Sequence, residues 1–329
     1  MVRSKKIRFF LETQLIQLGM CVFPNLSRTI ILELAYWIGS IAYVLDRRGR
    51  NTALENLRVC SHYFPHHTMH ELNTREQTVR LAYQTFALTF FDLFWSAKLT
   101  PQNWHCYATI SHAAMQAEAE ARKTGALWVT PHFGSFEISS LLWGFRNIQL
   151  TIVAENFKND QLTELFKSMR EHSGHQVISQ EGAMIRLIKK LKRKGHAAIL
   201  TDLTIPPAQA ATNITCFGLQ TCVTTIHSEL AIRLNLAIIA GVCIPTEDGY
   251  FNIQIFPAIR PLPNETTQAL TQRVWDQFQP IIQKYPHLWL WMYKHWRYLP
   301  ENQPNPSYPN YANISPPFAK ICSTSVSSS

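Results

Sequence analysis

The chain has 329 residues, 46% of them hydrophobic and 12% aromatic, but only 16% charged, with a formal charge of +9. That is enough apolar material for a sizeable core and too much for a disordered chain, and length alone allows one or two domains. A basic, aromatic-rich, charge-poor protein suggests an anionic partner such as a membrane surface, a phosphorylated substrate or nucleic acid. The seven cysteines (Cys21, Cys60, Cys106, Cys216, Cys222, Cys243, Cys322) are odd in number and scattered, with no CxxC, which fits reduced thiols better than a disulfide framework or a zinc site.

Residues 1–10, MVRSKKIRFF, are basic and then aromatic, without the long apolar core of a signal peptide. Residues 29–45, TIILELAYWIGSIAYVL, form an apolar run interrupted by Glu33 and followed by Arg47, Arg48 and Arg50. A span needs roughly 20 apolar residues, so this run is marginal, and a buried or membrane-dipping helix explains it as well. The basic residues on both sides give no clear orientation. Residues 51–59 read as helix. HYFPHHTMHE carries His62, His66, His67 and His70, but His66 and His70 share a face only if a helix has already begun there. A polar loop running into a helix is the plainer reading, and no metal site is expected. Residues 70–97 read as a long amphipathic helix with an aromatic face turned to core or membrane.

After Pro101 the pattern alternates. Strands are expected near 107–110, 126–130, 149–153, 176–178, 197–201, 237–243 and 251–256. Helices are expected near 112–123, 135–146, 160–172, 182–194, 223–233 and 266–283. This predicts an α/β fold, a mainly parallel sheet flanked by helices, preceded by an N-terminal helical segment that associates with membrane. The expected organisation is a helical region over 1–100, an α/β domain over 101–300 and a tail over 301–329, rich in Pro, Asn and Ser and disordered over its last twenty-odd residues.

The stretch GALWVTPHFGSFEISSLLWGFR, 125–146, organises the rest. Ala126–Thr130 reads as a buried strand that Pro131 ends; His132, Phe133 and Gly134 turn, and Ser135 can cap the following helix. Open α/β sheets place their sites beyond the carboxyl ends of strands, which is where His132 falls. Glu137 follows at His132-x4-Glu137, where a carboxylate in the first helical turn could fold back and fix the imidazole tautomer. Taken alone, the pair reads equally as an apolar loop with an acid favouring a helix N-terminus.

Several stretches then fit one pattern in one order: RRGRNTALENLRVCSHYF (47–64), PHFGSFE, ENFKNDQLTELFKSMREHSG (155–174), LIKKLKRKGHAAILTDL (187–203), ITCFGLQTCVTTIHSELAIRLNLAII (214–239) and YPHLWLWMYKHWR (285–297). Over roughly residues 40–300 the chain resembles the lysophospholipid acyltransferase superfamily, specifically the late acyltransferases of lipid A biosynthesis that add lauroyl or myristoyl chains. The resemblance implies an O-acyltransferase with no cofactor. The acyl chain would come from a thioester, on acyl carrier protein or coenzyme A, and pass to a hydroxyl of a phosphorylated lipid A precursor at the cytoplasmic face of the inner membrane. It makes His132 the general base and Glu137 its partner. Lys158 and Arg170 match positions where relatives carry basic groups facing a phosphorylated substrate, although Glu155 stands where many have Arg. Asp202 could orient His132 from a neighbouring strand end or cap a loop; Leu203 follows it where relatives have Gln or Arg. Lys294 and Arg297 keep positive charge in a Tyr293-Lys294-His295-Trp296 run that departs from the usual His-Arg-Arg-Trp.

The chemistry agrees, since an alcohol needs a positioned base and a thioester oxyanion needs preorganised donors, for which backbone N–H groups at the start of helix 135–146 are candidates. No GxSxG elbow is present, which weighs against an α/β-hydrolase. Residues 184–194, MIRLIKKLKRK, put Lys189, Lys190, Lys192, Arg193 and Lys194 largely outside, either as a solvated face or as a contact for a headgroup or the carrier protein. Trp289, Trp291 and Trp296 suit a membrane interface, with core packing the default. The alternatives are an acyltransferase for a glycerophospholipid, glycolipid or aminolipid, and, from another class, a non-catalytic membrane-binding protein. Nucleic acid is not expected as a partner, because the basic residues occur without a binding motif.

Overall fold

A computed structural model describes residues 2–64 and 69–326. His66 and His67 of the histidine-rich loop lie outside the described residues; His70 Nδ1 is 3.1 Å from Ser61 Oγ. The helices are α1 Val2–Val22, α2 Arg28–Leu45, α3 Arg47–Cys60, α4 Leu72–Trp95, α5 His112–Thr124, α6 Phe136–Phe145, α7 Asp160–Glu171, α8 Ala183–Lys192, α9 Ile226–Leu234, α10 Thr267–Lys284 and α11 Pro316–Val326. The strands are β1 Ala108–Ile110, β2 Ala126–Thr130, β3 Leu150–Ala154, β4 Gln176–Ser179, β5 His196–Leu200, β6 Ala211–Cys216, β7 Leu219–Thr224, β8 Ile238–Pro245, β9 Phe251–Ile255, β10 Tyr298–Leu299 and β11 Asn313–Ile314.

Seven strands form one sheet in the order β1-β9-β8-β2-β5-β3-β4, parallel except for the β8–β9 pair. β2 is central and buried on both faces, and its unbroken apolar run Ala126–Val129 is what a covered parallel strand requires. Two apolar clusters cover the faces. One joins α3, α8, α9 and α10 to the sheet through residues such as Leu57, Leu187, Leu230 and Phe278. The other joins α2, α4, α5 and α6 through Ile31, Phe94, Ala117 and Leu141. The sheet strands and the helices of the strand–helix alternation fall where the sequence pattern puts them, within a few residues.

Residues 2–22 form a helix, hydrogen-bonded to the α7 region through Thr13 Oγ1–Gln161 Oε1 at 3.0 Å and Asn159 Nδ2–Phe9 O at 3.1 Å. Two features differ from the sequence expectation. Residues 211–224 form an antiparallel hairpin, so the helix expected from 223 starts at Ile226. Its two-residue connection puts Phe217 at φ 47° and Gly218 at φ 73°, the pair of positive values that a primed hairpin turn demands. Phe217 tolerates this because its ring is fully buried against Phe64, Trp275, Trp289 and Trp291. Finally, residues after Pro300 that were expected to be disordered include β11 and α11, anchored by buried Tyr308 and Phe318.

Candidate active site

Register brings two side chains together. Thr130 of β2 lies opposite Leu200 of β5, and each strand runs on for two residues, to His132 and to Asp202. The adjacent strand ends therefore place these groups side by side at the carboxyl edge of the sheet. His132 Nδ1 is 2.8 Å from Asp202 Oδ1, and the His132 backbone N–H donates to Oδ2 at 2.9 Å. The indole N–H of Trp289 donates to the same Oδ2 at 2.8 Å. Asp202 is fully buried and the His132 side chain 15% exposed. Burial raises the Asp202 pKa, but the charge and hydrogen bond of His132, with His295 and Trp289, outweigh it and hold the carboxyl at about 2. The carboxylate is thus ionised, Nδ1–H donates to it, and the Nε2 lone pair is free. Burial also pulls the His132 pKa down; the Asp202 charge and hydrogen bond win, with a smaller push from Glu137, and leave it above the ordinary 6.5.

The partner of the imidazole is therefore Asp202 and not Glu137. Glu137 instead receives Arg170 Nε at 3.0 Å and Nη2 at 2.6 Å. The reason is geometric: Glu137 in the first turn of α6 faces Arg170 in the last turn of α7, and a guanidinium fork matches a carboxylate better than a ring N–H already taken by Asp202. Arg170, expected to clamp the acceptor, thus has two of its nitrogens engaged by Glu137, and it lines a cleft with Lys167 and Arg186 beyond the ends of β3 and β4.

The turn is held from every side. Phe133 pairs with Trp289 and Gly134 with Cys243 of β8, through Gly134 N–H to Leu288 O at 2.8 Å and Ser135 N–H to Cys243 O at 3.0 Å. Gly134 has φ 54°, and a Cβ there would stand 2.2 Å from Cys243 O, so only glycine fits. Ser135 makes no side-chain cap to α6; its hydroxyl donates to buried Asp92 Oδ2 at 3.0 Å. Thr89 Oγ1, one turn earlier on α4, donates to Gly134 O at 2.9 Å. With Phe133, Gly134 and Ser135 N–H groups all engaged, the N–H groups of the first turn of α6 are those left for an oxyanion. Beside His132 is a recess of only about 10 Å³, lined by Thr85, Phe86, Thr89, Phe136, Leu290 and Met292.

The remaining basic residues divide. Lys158 is exposed in the loop after β3, on the same sheet edge as His132. Lys294 Nζ lies 5.3 Å from the centroid of the Tyr311 ring and so packs on the C-terminal segment, whereas the Arg297 guanidinium lies 5.5 Å from the centroid of Tyr293 in its own loop. Lys189, Lys190 and Lys192 sit in the last turn of α8, which returns from the β4 carboxyl end to the start of β5. They therefore lie at the opposite sheet edge from His132, which favours the solvated-face reading. Trp289, Trp291 and Trp296 are buried core residues rather than interface anchors.

Sequence reasoning missed Trp289, Thr89 and Asp92 as holders of the turn. The tryptophan-rich YPHLWLW run was a visible signal for the first; nothing local marked the other two.

The fold and site define an open α/β protein with a buried carboxylate–histidine pair beyond adjacent parallel strands. The chain belongs to the bacterial lipid A biosynthesis acyltransferase family, whose model matches residues 5–298. It is 23% identical over 182 residues to a phosphatidylinositol mannoside acyltransferase of Mycobacterium tuberculosis (strain CDC 1551 / Oshkosh), covering 54% of this chain and 56% of that one. It is 24% identical over 177 residues to the protein of the same description in Mycolicibacterium smegmatis (strain ATCC 700084 / mc(2)155), covering 52% and 57%. The chain thus spans a little over half the length of the curated relatives it matches.

Proposed function

We propose that the protein is a membrane-associated O-acyltransferase that moves a fatty acyl chain from a thioester, on acyl carrier protein or coenzyme A, to a hydroxyl of a lipid A precursor at the cytoplasmic face of the inner membrane. The observation that carries the reading is the free Nε2 of His132, with Nδ1–H fixed on buried Asp202, at the carboxyl edge of the sheet.

In this reaction Nε2 takes the proton of the acceptor hydroxyl as its oxygen attacks the thioester carbonyl carbon. The C–O bond forms and the carbonyl π electrons move to oxygen, where the first-turn N–H groups of α6 and its positive dipole end can stabilise them. Collapse restores the carbonyl and breaks the C–S bond, and the leaving thiolate takes the proton from the His132 imidazolium. Asp202 stays ionised, holding the tautomer and stabilising the imidazolium between the two proton transfers. Arg170, fixed by Glu137, and Lys158 supply positive charge on the edge where an acceptor phosphate would lie.

A second reading keeps the chemistry and changes the acceptor to another glycolipid of the membrane; it is favoured by the acceptor in the names of the curated relatives. The test is comparative mass spectrometry of lipids from cells with wild-type protein or His132→Ala. A lipid A species lacking one acyl chain in the variant supports the first reading. Loss of an acyl chain from a different glycolipid supports the second, and identical lipids with folded variant protein refute both.

A further inference from the structure

The apolar run that looked like a marginal span packs in a way that decides its orientation. α2 has 18 residues, a length of ~27 Å at 1.5 Å per residue, close to a hydrocarbon core. Yet only one side of it is covered. Ile31, Ala35, Gly39 and Ser40 face α4, so closely that a Cβ on Gly39 would stand 2.4 Å from the Gln84 Cα. Ile30, Trp37, Ile38, Ile41, Val44 and Leu45 are exposed, between 46% and 75%.

The start of α2 is tied to α4 and the α/β body, and its end to α4. At the start, Arg28 is almost buried, its Nη1 donating to buried Asp92 Oδ1 at 2.6 Å and its Nε to Gly249 O at 2.8 Å. At the end, Asp46 accepts the Tyr83 hydroxyl at 2.8 Å. The chain before α2 is tied down too, through Thr13 to Gln161. A helix that crosses a bilayer puts roughly 30 Å of hydrocarbon between the segments on its two sides. Here α1, α3 and the sheet all belong to one packed unit.

We propose that α1 and α2 lie in the plane of the membrane, as an in-plane docking surface for an anionic bilayer, and that α2 does not span. The occupant is set by the chemistry of the face. On α1, too, an apolar row, Ile7, Leu11, Leu15 and Leu18, is exposed. Lys6 and Arg8 on α1 and Arg47 and Arg48 just past α2 are exposed, placing cations at the ends of the apolar area, where phosphate headgroups would lie. Trp37, 60% exposed, is the residue type that sits at headgroup depth. Glu33 is exposed, as suits the rim of an in-plane helix; inside a span an acidic group would cost several kcal/mol. A protein partner would not call for this combination of length, aromatic placement and basic ends. The inference concerns orientation and stands apart from which acceptor is acylated.

The native cysteines allow a direct test. Cys106 is exposed on the body and Cys21 lies ahead of α2, with Cys60, Cys216, Cys222 and Cys243 buried. In a Cys21→Ser background, Asn25→Cys puts a reporter in the exposed loop before α2. Sealed inverted and right-side-out membrane vesicles carrying this protein are treated with a membrane-impermeant maleimide, and labelled sites are read by peptide mass spectrometry. The expected result is that Asn25→Cys and Cys106 react in the same preparation and are both protected in the other. Reaction of the two in opposite preparations would show a span. Lack of reaction at Asn25→Cys in either would put the loop inside hydrocarbon. Recovery of the protein in the soluble fraction would remove the membrane partner. Each of these three results overturns the proposal.

Discussion

Asp202→Asn separates the two carboxylates that could serve His132. Asp202 accepts from His132 Nδ1, from the His132 backbone N–H and from Trp289 Nε1. An asparagine has one acceptor oxygen and one NH₂. With the oxygen in the Oδ2 position it keeps the backbone and tryptophan donors, and its NH₂ must then donate to Nδ1. That orientation forces the imidazole proton onto Nε2 and removes the lone pair the reaction needs. The opposite orientation saves the tautomer but sets the NH₂ against two buried donors. Leaving those unpaired costs about 2 kcal/mol or more, so roughly thirtyfold more molecules adopt the inactive tautomer. The few that do not have also lost the carboxylate charge that stabilises the imidazolium. The expected fall in kcat is ~10²–10⁴-fold, with donor KM nearly unchanged. Glu137→Gln keeps a hydrogen bond to Arg170 and should cost less than about tenfold by the same reasoning. The assay is thiol release from the acyl thioester at saturating acceptor, with a thermal melt to confirm folding. If Asp202→Asn keeps more than about a tenth of wild-type kcat while Glu137→Gln loses a hundredfold, the working base is oriented by Glu137 and the reasoning from this geometry is wrong.

The other predictions rest on the same contacts. His132 must be neutral to act and its pKa lies above 6.5, so kcat/KM should rise with pH through a limb above that value; Trp289→Phe, which removes a donor from Asp202, should strengthen the carboxylate's hold on the imidazolium and move the limb higher, and an unmoved limb in pH–rate profiles would count against this coupling. Gly134→Ala should lower stability by about 2 kcal/mol or more, because a Cβ meets Cys243 O at a positive φ; a melt within about 1 °C of wild type would show that the turn can relax. Neutralising Lys189, Lys190 and Lys192 together should leave donor KM and its salt dependence unchanged, since these groups lie at the far edge of the sheet; a raised KM that flattens with salt would restore them as a carrier-docking patch.

Much of the fold was legible because its elements announce themselves locally. Strand-length apolar runs such as Ala126–Val129 alternate with amphipathic helices, and that rhythm has few solutions other than a covered parallel sheet. His132 was legible for the same reason, as the only histidine of the 125–146 segment, set where its strand gives way to its helix. Its partner was legible only in part: Asp202 at a neighbouring strand end was one of two readings of that residue, while sequence distance favoured Glu137, five residues away, over Asp202, seventy residues away. What joins His132 to Asp202 is strand order and register, with β5 inserted beside β2 rather than following it, and neither is written in any local pattern. The hairpin β6–β7 was hidden by Phe217, a residue that does not advertise a positive φ and adopts it only because an aromatic core receives its ring. The tail was misjudged from composition, since a few buried anchors, Tyr308 and Phe318, outweigh a Pro- and Ser-rich background.

α4 is the element through which the membrane face and the chemistry meet. One side of it receives α2, by way of Gln84 and Asp92. Another side holds the active turn, by way of Thr89 on Gly134 and the same Asp92 on Ser135. Phe86, 47% exposed on that helix, also lines the recess beside His132. Asp92 is fully buried, and burial pushes its pKa up against the pull of Arg28, so its charge depends on Arg28 staying in place. Removing one member of a buried pair costs ~3–5 kcal/mol, far more than a surface contact. A helix docked this firmly cannot swing away to cross a bilayer without disturbing the turn that carries His132. The in-plane arrangement avoids that conflict: it lets the apolar face of α2 stay in lipid while Arg28, Asp92 and Ser135 keep the turn in the geometry that frees Nε2.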